Sequence, residues 1–189
     1  MKSIKILVLI AATSFTTSTF AQHQHGAEAS KTAEISTVNI GTINANVSSQ
    51  INETLVAYYG LKDALVATDA SKASAEAKNF LTKLDAIDQS KMTVEQKNTF
   101  KPLNEKLSSD AEHINESKDI KHQREHFGDL SANALILVKT FGSNKEDAFV
   151  QYCPMVKKSW LSDSKSVKNP YYGNKMLTCG KVTETINKK

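Results

Sequence analysis

From Asp119 to Gly142 the chain reads DIKHQREHFGDLSANALILVKTFG. Phe127, Leu130, Ala134, Leu137, Val138 and Phe141 recur there at helical spacing, which puts them on one stripe of an α-helix, because each residue turns the helix by about 100°. Gly142 follows the last apolar residue and suits the left-handed position that closes many helices. The stretch predicts an amphipathic helix over residues 119–141.

Three further stripes precede it. Val47, Ile51, Leu55, Tyr58, Leu61 and Leu65 form the first, with Asn44 as the expected N-cap. Asp69 is placed to cap a second, alanine-rich helix that carries Ala73, Ala77, Phe80, Leu81, Leu84 and Ile87. Thr93-Val94-Glu95-Gln96 has the capping-box pattern, and Phe100, Leu103, Leu107, Ala111 and Ile114 follow as a third stripe. Pro102 lies inside this run, so a kink or a break is expected just before it. Four helices of comparable length with short connections predict an all-α fold, an up-and-down four-helix bundle. After residue 148, Pro154, Pro170 and Gly173 oppose long regular elements. The expectation there is an irregular Cys/Met-bearing segment over residues 148–180, with a brief extended piece at Phe149–Tyr152 and a short last helix from Lys181 to Asn187.

The N-terminus reads as a targeting segment. Lys2 and Lys5 make a positive n-region, Ile4 to Ala12 make a short apolar h-region, and Thr19-Phe20-Ala21 offers small residues to a signal peptidase. Residues 1–21 are expected to be a signal peptide, residues 22–42 a flexible leader containing His23 and His25, and residues 43–189 a single helical domain. The apolar run is shorter than the roughly 20 residues a membrane span needs, so the mature chain is expected to carry no transmembrane segment and to reside in the periplasm. The formal net charge is +4, with Lys and Arg scattered rather than clustered, and no nucleic-acid partner is expected. The chain has no nucleophile elbow, phosphate-cradling glycine loop, metalloprotease helix or Cys-x-x-Cys pair. It reads as a non-enzyme.

Chemistry is concentrated in the last quarter. Cys153-Pro154-Met155 and Met176-Leu177-Thr178-Cys179 hold both cysteines and two of the four methionines. Soft thiolate and thioether ligands together select soft monovalent ions such as Cu(I). The same residues also allow a Cys153–Cys179 disulfide with two gap-filling methionines, a bridge worth about 3.5 kcal/mol by the chain-entropy relation. Both readings stay open on residues alone. His122 and His126 stand four apart on the fourth helix, a spacing that makes half of a metal site, with His126 nearer the apolar stripe and His113 close in sequence.

Tyr152-Cys153-Pro154-Met155, Trp160-Leu161-Ser162, Asn169-Pro170-Tyr171-Tyr172-Gly173 and Met176-Leu177-Thr178-Cys179-Gly180, preceded by His122-Gln123-Arg124-Glu125-His126-Phe127, resemble a family of exported bacterial domains of formally unknown function. The resemblance runs from about Val47 to Ile186. It implies a four-helix bundle with a sulfur-bearing C-terminal segment, and an association with the periplasmic adaptor subunits of copper and silver efflux pumps. The Tyr-x-Cys-Pro-Met element is also similar to the short heavy-metal-binding domain of such adaptors, although Val156 stands where that domain has a His. The resemblance tilts the reading toward Cu(I) or Ag(I) held by Cys153, Met155, Met176 and Cys179, with His126 or His113 as a further ligand. The expected function is capture and hand-over of Cu(I) or Ag(I), with an efflux adaptor or another envelope protein as partner. The alternative is a disulfide-stapled, non-catalytic interaction domain that binds such an adaptor.

Overall fold

The computed structural model describes residues 40–189. The expected signal peptide and most of the leader, His23 and His25 included, lie outside the described residues. Four helices come first: α1 Ala45–Val66, α2 Ala70–Asp85, α3 Val94–Glu116 and α4 Ile120–Phe141. Their starts follow the side-chain chemistry read from sequence. Asn44, Asp69 and Asp119 each accept a backbone N–H of the first turn, and Thr93 and Gln96 form a reciprocal capping box. Gly142 closes α4 in the left-handed conformation.

Nearly every residue of the four stripes is buried, Leu81 alone being partly exposed. The helices pack in sequence, α1 on α2, α2 on α3 and α3 on α4, and α4 closes back onto α1. Helix α3 runs through Pro102 without interruption, contrary to the expected break. Pro102 and Asn98 are both exposed, so the residue whose carbonyl loses its helical partner is not buried, and the remaining cost of an interior proline is offset by burial of Phe100, Leu103 and Leu107 on the opposite stripe. Packing also begins ahead of residue 43. Ile40 is buried, and the Gln96 side-chain amide donates to the Ile40 and Thr42 carbonyls.

The C-terminal region departs from an all-α fold. Strands β1 Ala148–Cys153, β2 Lys158–Ser162 and β3 Lys181–Ile186 form an antiparallel sheet in the order β2-β1-β3. The expected extended piece at residues 149–152 is its central strand, and the expected helix at residues 181–187 is instead an edge strand. Val182, Thr183, Thr185 and Ile186 are β-branched, a composition suited to a strand, and β1 supplies the unpaired edge that β3 takes up, with a bulge between Val150 and Gln151.

An aromatic seam joins sheet to bundle. Tyr58 of α1 is fully buried and stacks on Phe127 of α4 at 5.4 Å. Phe127 meets Tyr171 at 5.9 Å, and Tyr171 meets Trp160 of β2 at 5.9 Å. The Tyr58 hydroxyl bonds Ser131 of α4 at 2.7 Å and accepts the Leu161 N–H of β2 at 3.1 Å. Burial pushes this phenol well above its ordinary range, so it stays neutral and keeps its proton. Lys62, itself buried, adds an ion pair to Asp163 just beyond β2.

Tyr58→Phe keeps the ring but strands the Leu161 N–H and the Ser131 hydroxyl in the core. A loss of about 1–3 kcal/mol is expected in urea denaturation, the usual cost of leaving a buried polar group unpaired. An unchanged midpoint would mean that the hydroxyl does not couple the sheet to the bundle.

Candidate metal centre

The sheet register brings the two cysteines together. Cys153 ends β1, and Cys179 lies just before β3, whose Lys181 is paired with Tyr152. The two Sγ atoms stand 3.8 Å apart as free thiols, with Cys153 fully buried and Cys179 partly exposed.

The intervening segment folds back through Asn169-Pro170-Tyr171-Tyr172-Gly173, and Asn169 governs that turn. Fully buried, it accepts the Tyr171 N–H at 2.8 Å and the Tyr172 N–H at 3.2 Å through Oδ1, and donates through Nδ2 to the Cys179 carbonyl at 2.6 Å. Arg124 of α4 locks the turn to the bundle, donating to the Pro170 carbonyl at 2.8 Å and to the Leu65 carbonyl at 2.9 Å. Gly173 has a positive φ of 55°, and a Cβ there would collide with Thr68, Arg124 and the Val66 carbonyl, so both conformation and space require glycine.

The two sulfurs differ electrically. Burial pushes the Cys153 thiol up, but the Val156 N–H, the Asn169 side chain, the Met155 N–H and the Cys179 thiol all bond its sulfur and together hold it below the usual thiol range. Burial and then the Cys153 sulfur push Cys179 the other way. Of the two, Cys153 is the sulfur that ionises more readily, and the Cys-Pro-Met-Val turn is the device that aims N–H groups at it.

Met155 is 60% exposed on the turn between β1 and β2, and Met176 is half-buried at the end of a short 3-10 turn, Gly173–Lys175. Beside this region lies a groove of about 440 Å³ lined by Val156, Tyr171 and Tyr172 together with Ile120 and Arg124 of α4.

The histidines gather elsewhere. His113 from the last turns of α3 and His122 and His126 from α4 bring ligand nitrogens to within 4.8 Å of one another, and no cysteine joins such a group among the described residues. His113 and His126 therefore sit with His122 rather than with the sulfur pair. Asp110, which nothing in the sequence singled out, reaches His126 Nδ1 at 3.1 Å. It lies one helical turn before His113, an i,i+3 relation that would have flagged it.

Comparison with known families adds one finding. Residues 54–146 match the family described as a protein of unknown function, DUF3347. The matched span covers most of the helical bundle, contains the three histidines and ends before Cys153. No curated protein and no solved structure matches the chain.

Titration by ultraviolet thiolate absorbance is expected to show two steps, the first below the ordinary thiol pKa of about 8.5 and the second above it. Asn169→Ala should move the first step upward. Two overlapping steps at the ordinary value would show that the turn does not stabilise a thiolate.

Proposed function

We propose that this protein is an exported, non-catalytic carrier that captures Cu(I) or Ag(I) in the periplasm and hands it to an efflux adaptor or another envelope protein. The observation that carries the reading is the Cys153–Cys179 pair. Two metal–thiolate bonds of about 2.3 Å each, the length typical of zinc thiolates, span sulfurs up to about 4.6 Å apart, and these stand at 3.8 Å. One sulfur is already favoured as thiolate by its hydrogen bonds, which lowers the proton cost of binding a metal. Met155 and Met176, close in sequence to the two cysteines, are the proposed thioether ligands, and a thioether-rich set favours a soft monovalent ion over Zn(II). The exposure of Met155 suits a site that must both load and release its ion. The resemblance over about Val47 to Ile186 to exported domains, some of them associated with efflux adaptors, supports the same reading.

The same thiol pair suits a disulfide, and the groove beside Val156 and Tyr172 favours a second reading, a disulfide-stapled interaction domain. Titration of the reduced protein against a chromophoric Cu(I) chelator separates the two. The carrier reading expects one Cu(I) per chain, with Met155→Leu/Met176→Leu binding at least about tenfold more weakly while its circular dichroism and melting stay unchanged, because Leu and Met have similar volumes. Unaltered binding by that variant, or no binding by the reduced wild type, would favour the interaction domain.

A further inference from the structure

The α3–α4 hairpin carries a second constellation that the sulfur site does not use. His122 and His126 lie one turn apart on α4, and His113 faces them from α3. Ring centroids are 4.3 Å apart for His113 and His126, 4.6 Å for His122 and His126 and 6.1 Å for His113 and His122. The nitrogens converge to within 4.8 Å, and tetrahedral coordination with bonds near 2.0 Å needs them to close to about 3.3 Å. His113 is exposed and the other two are half-buried, so an ion has an open approach.

Two features mark this as a supported arrangement rather than three surface rings. Asp110 has a side chain only 16% exposed and bonds His126 Nδ1 at 3.1 Å. With that nitrogen donating to the carboxylate, Nε2 is left as a lone pair, the carboxylate–histidine relation found behind metal-bound imidazoles. The second feature is Gln123. Fully buried between His122 and Arg124 in the chain, its amide nitrogen donates to the Ala70, Ile114 and Ser117 carbonyls. It satisfies carbonyls that the end of α3 leaves open and fixes the turn that sets α3 against α4.

We propose that His113, His122 and His126 form a three-imidazole site for a divalent ion of borderline softness, Cu(II) or Zn(II), with Asp110 as the positioning residue for His126 and water completing the coordination. An all-nitrogen set suits these ions, whereas the thiol–thioether set suits Cu(I) and Ag(I). The protein would thereby hold two chemically distinct sites, and this one does not depend on the sulfur reading.

The test uses the full chain with His23→Gln and His25→Gln, which leaves the trio as its only histidines. Zn(II) affinity is measured by competition with a chromophoric chelator, and Cu(II) ligation by electron paramagnetic resonance. One Zn(II) per chain is expected, with nitrogen hyperfine structure in the Cu(II) spectrum. His113→Ala and His122→Ala should each weaken Zn(II) at least about tenfold at unchanged melting temperature, and Asp110→Asn about 10-fold to 100-fold. Cys153→Ser/Cys179→Ser should keep both the Zn(II) affinity and the Cu(II) spectrum. Wild-type affinity in the histidine variants, or loss of Zn(II) in a folded cysteine variant, would overturn the site.

Discussion

The buried hydroxyl of Tyr58 is the constraint on which the arrangement turns. It belongs to α1, pairs with α4 through Ser131 and accepts a backbone N–H of β2 through Leu161. No water can replace those partners in the core, so the sheet has one seat on the bundle, and leaving it strands polar groups. The Tyr58–Phe127–Tyr171–Trp160 seam adds apolar burial around that polar point. Polar specificity and aromatic area thus act at the same place, and the three-stranded sheet becomes part of the domain.

From that seat the geometry passes outward to the sulfur pair. Tyr171 sits in the turn that Asn169 builds, so docking the aromatic seam also positions the turn. Asn169 then reaches the Cys179 carbonyl, and the β1–β3 register brings Cys179 opposite the end of β1. Cys153 gains its hydrogen bonds from the turn immediately after it and from Asn169. Each step is a short-range contact, yet together they join residues 26 apart in sequence at 3.8 Å. The histidine trio depends on a different device, the Gln123 clamp at the α3–α4 turn, which is why the two constellations can be perturbed separately.

How much of this was legible in the sequence follows from the range of the interactions. The helices were readable because stripe periodicity and caps are local. Asn44, Asp69, Thr93 and Gly142 all act within a turn of their own position. Strand β3 was not legible, because Lys181–Ile186 is almost wholly exposed and shows no buried alternation, its strand character coming from pairing with β1. The continuity of α3 through Pro102 depended on tertiary packing of its buried stripe, which sequence does not state. Asp110 and the meeting of His113 with His122 and His126 required the α3–α4 packing, whereas the His122–His126 spacing was visible at once.

X-ray absorption on the reduced protein loaded with one equivalent of Cu(I) tests the central claim most directly, since it reads the atoms bound to the ion. Sulfur neighbours are expected, contributed by Cys153 and Cys179 with thioether sulfur. Neighbours that are mostly nitrogen would place copper on the histidines instead and contradict the assignment of the thiol pair as the Cu(I) site.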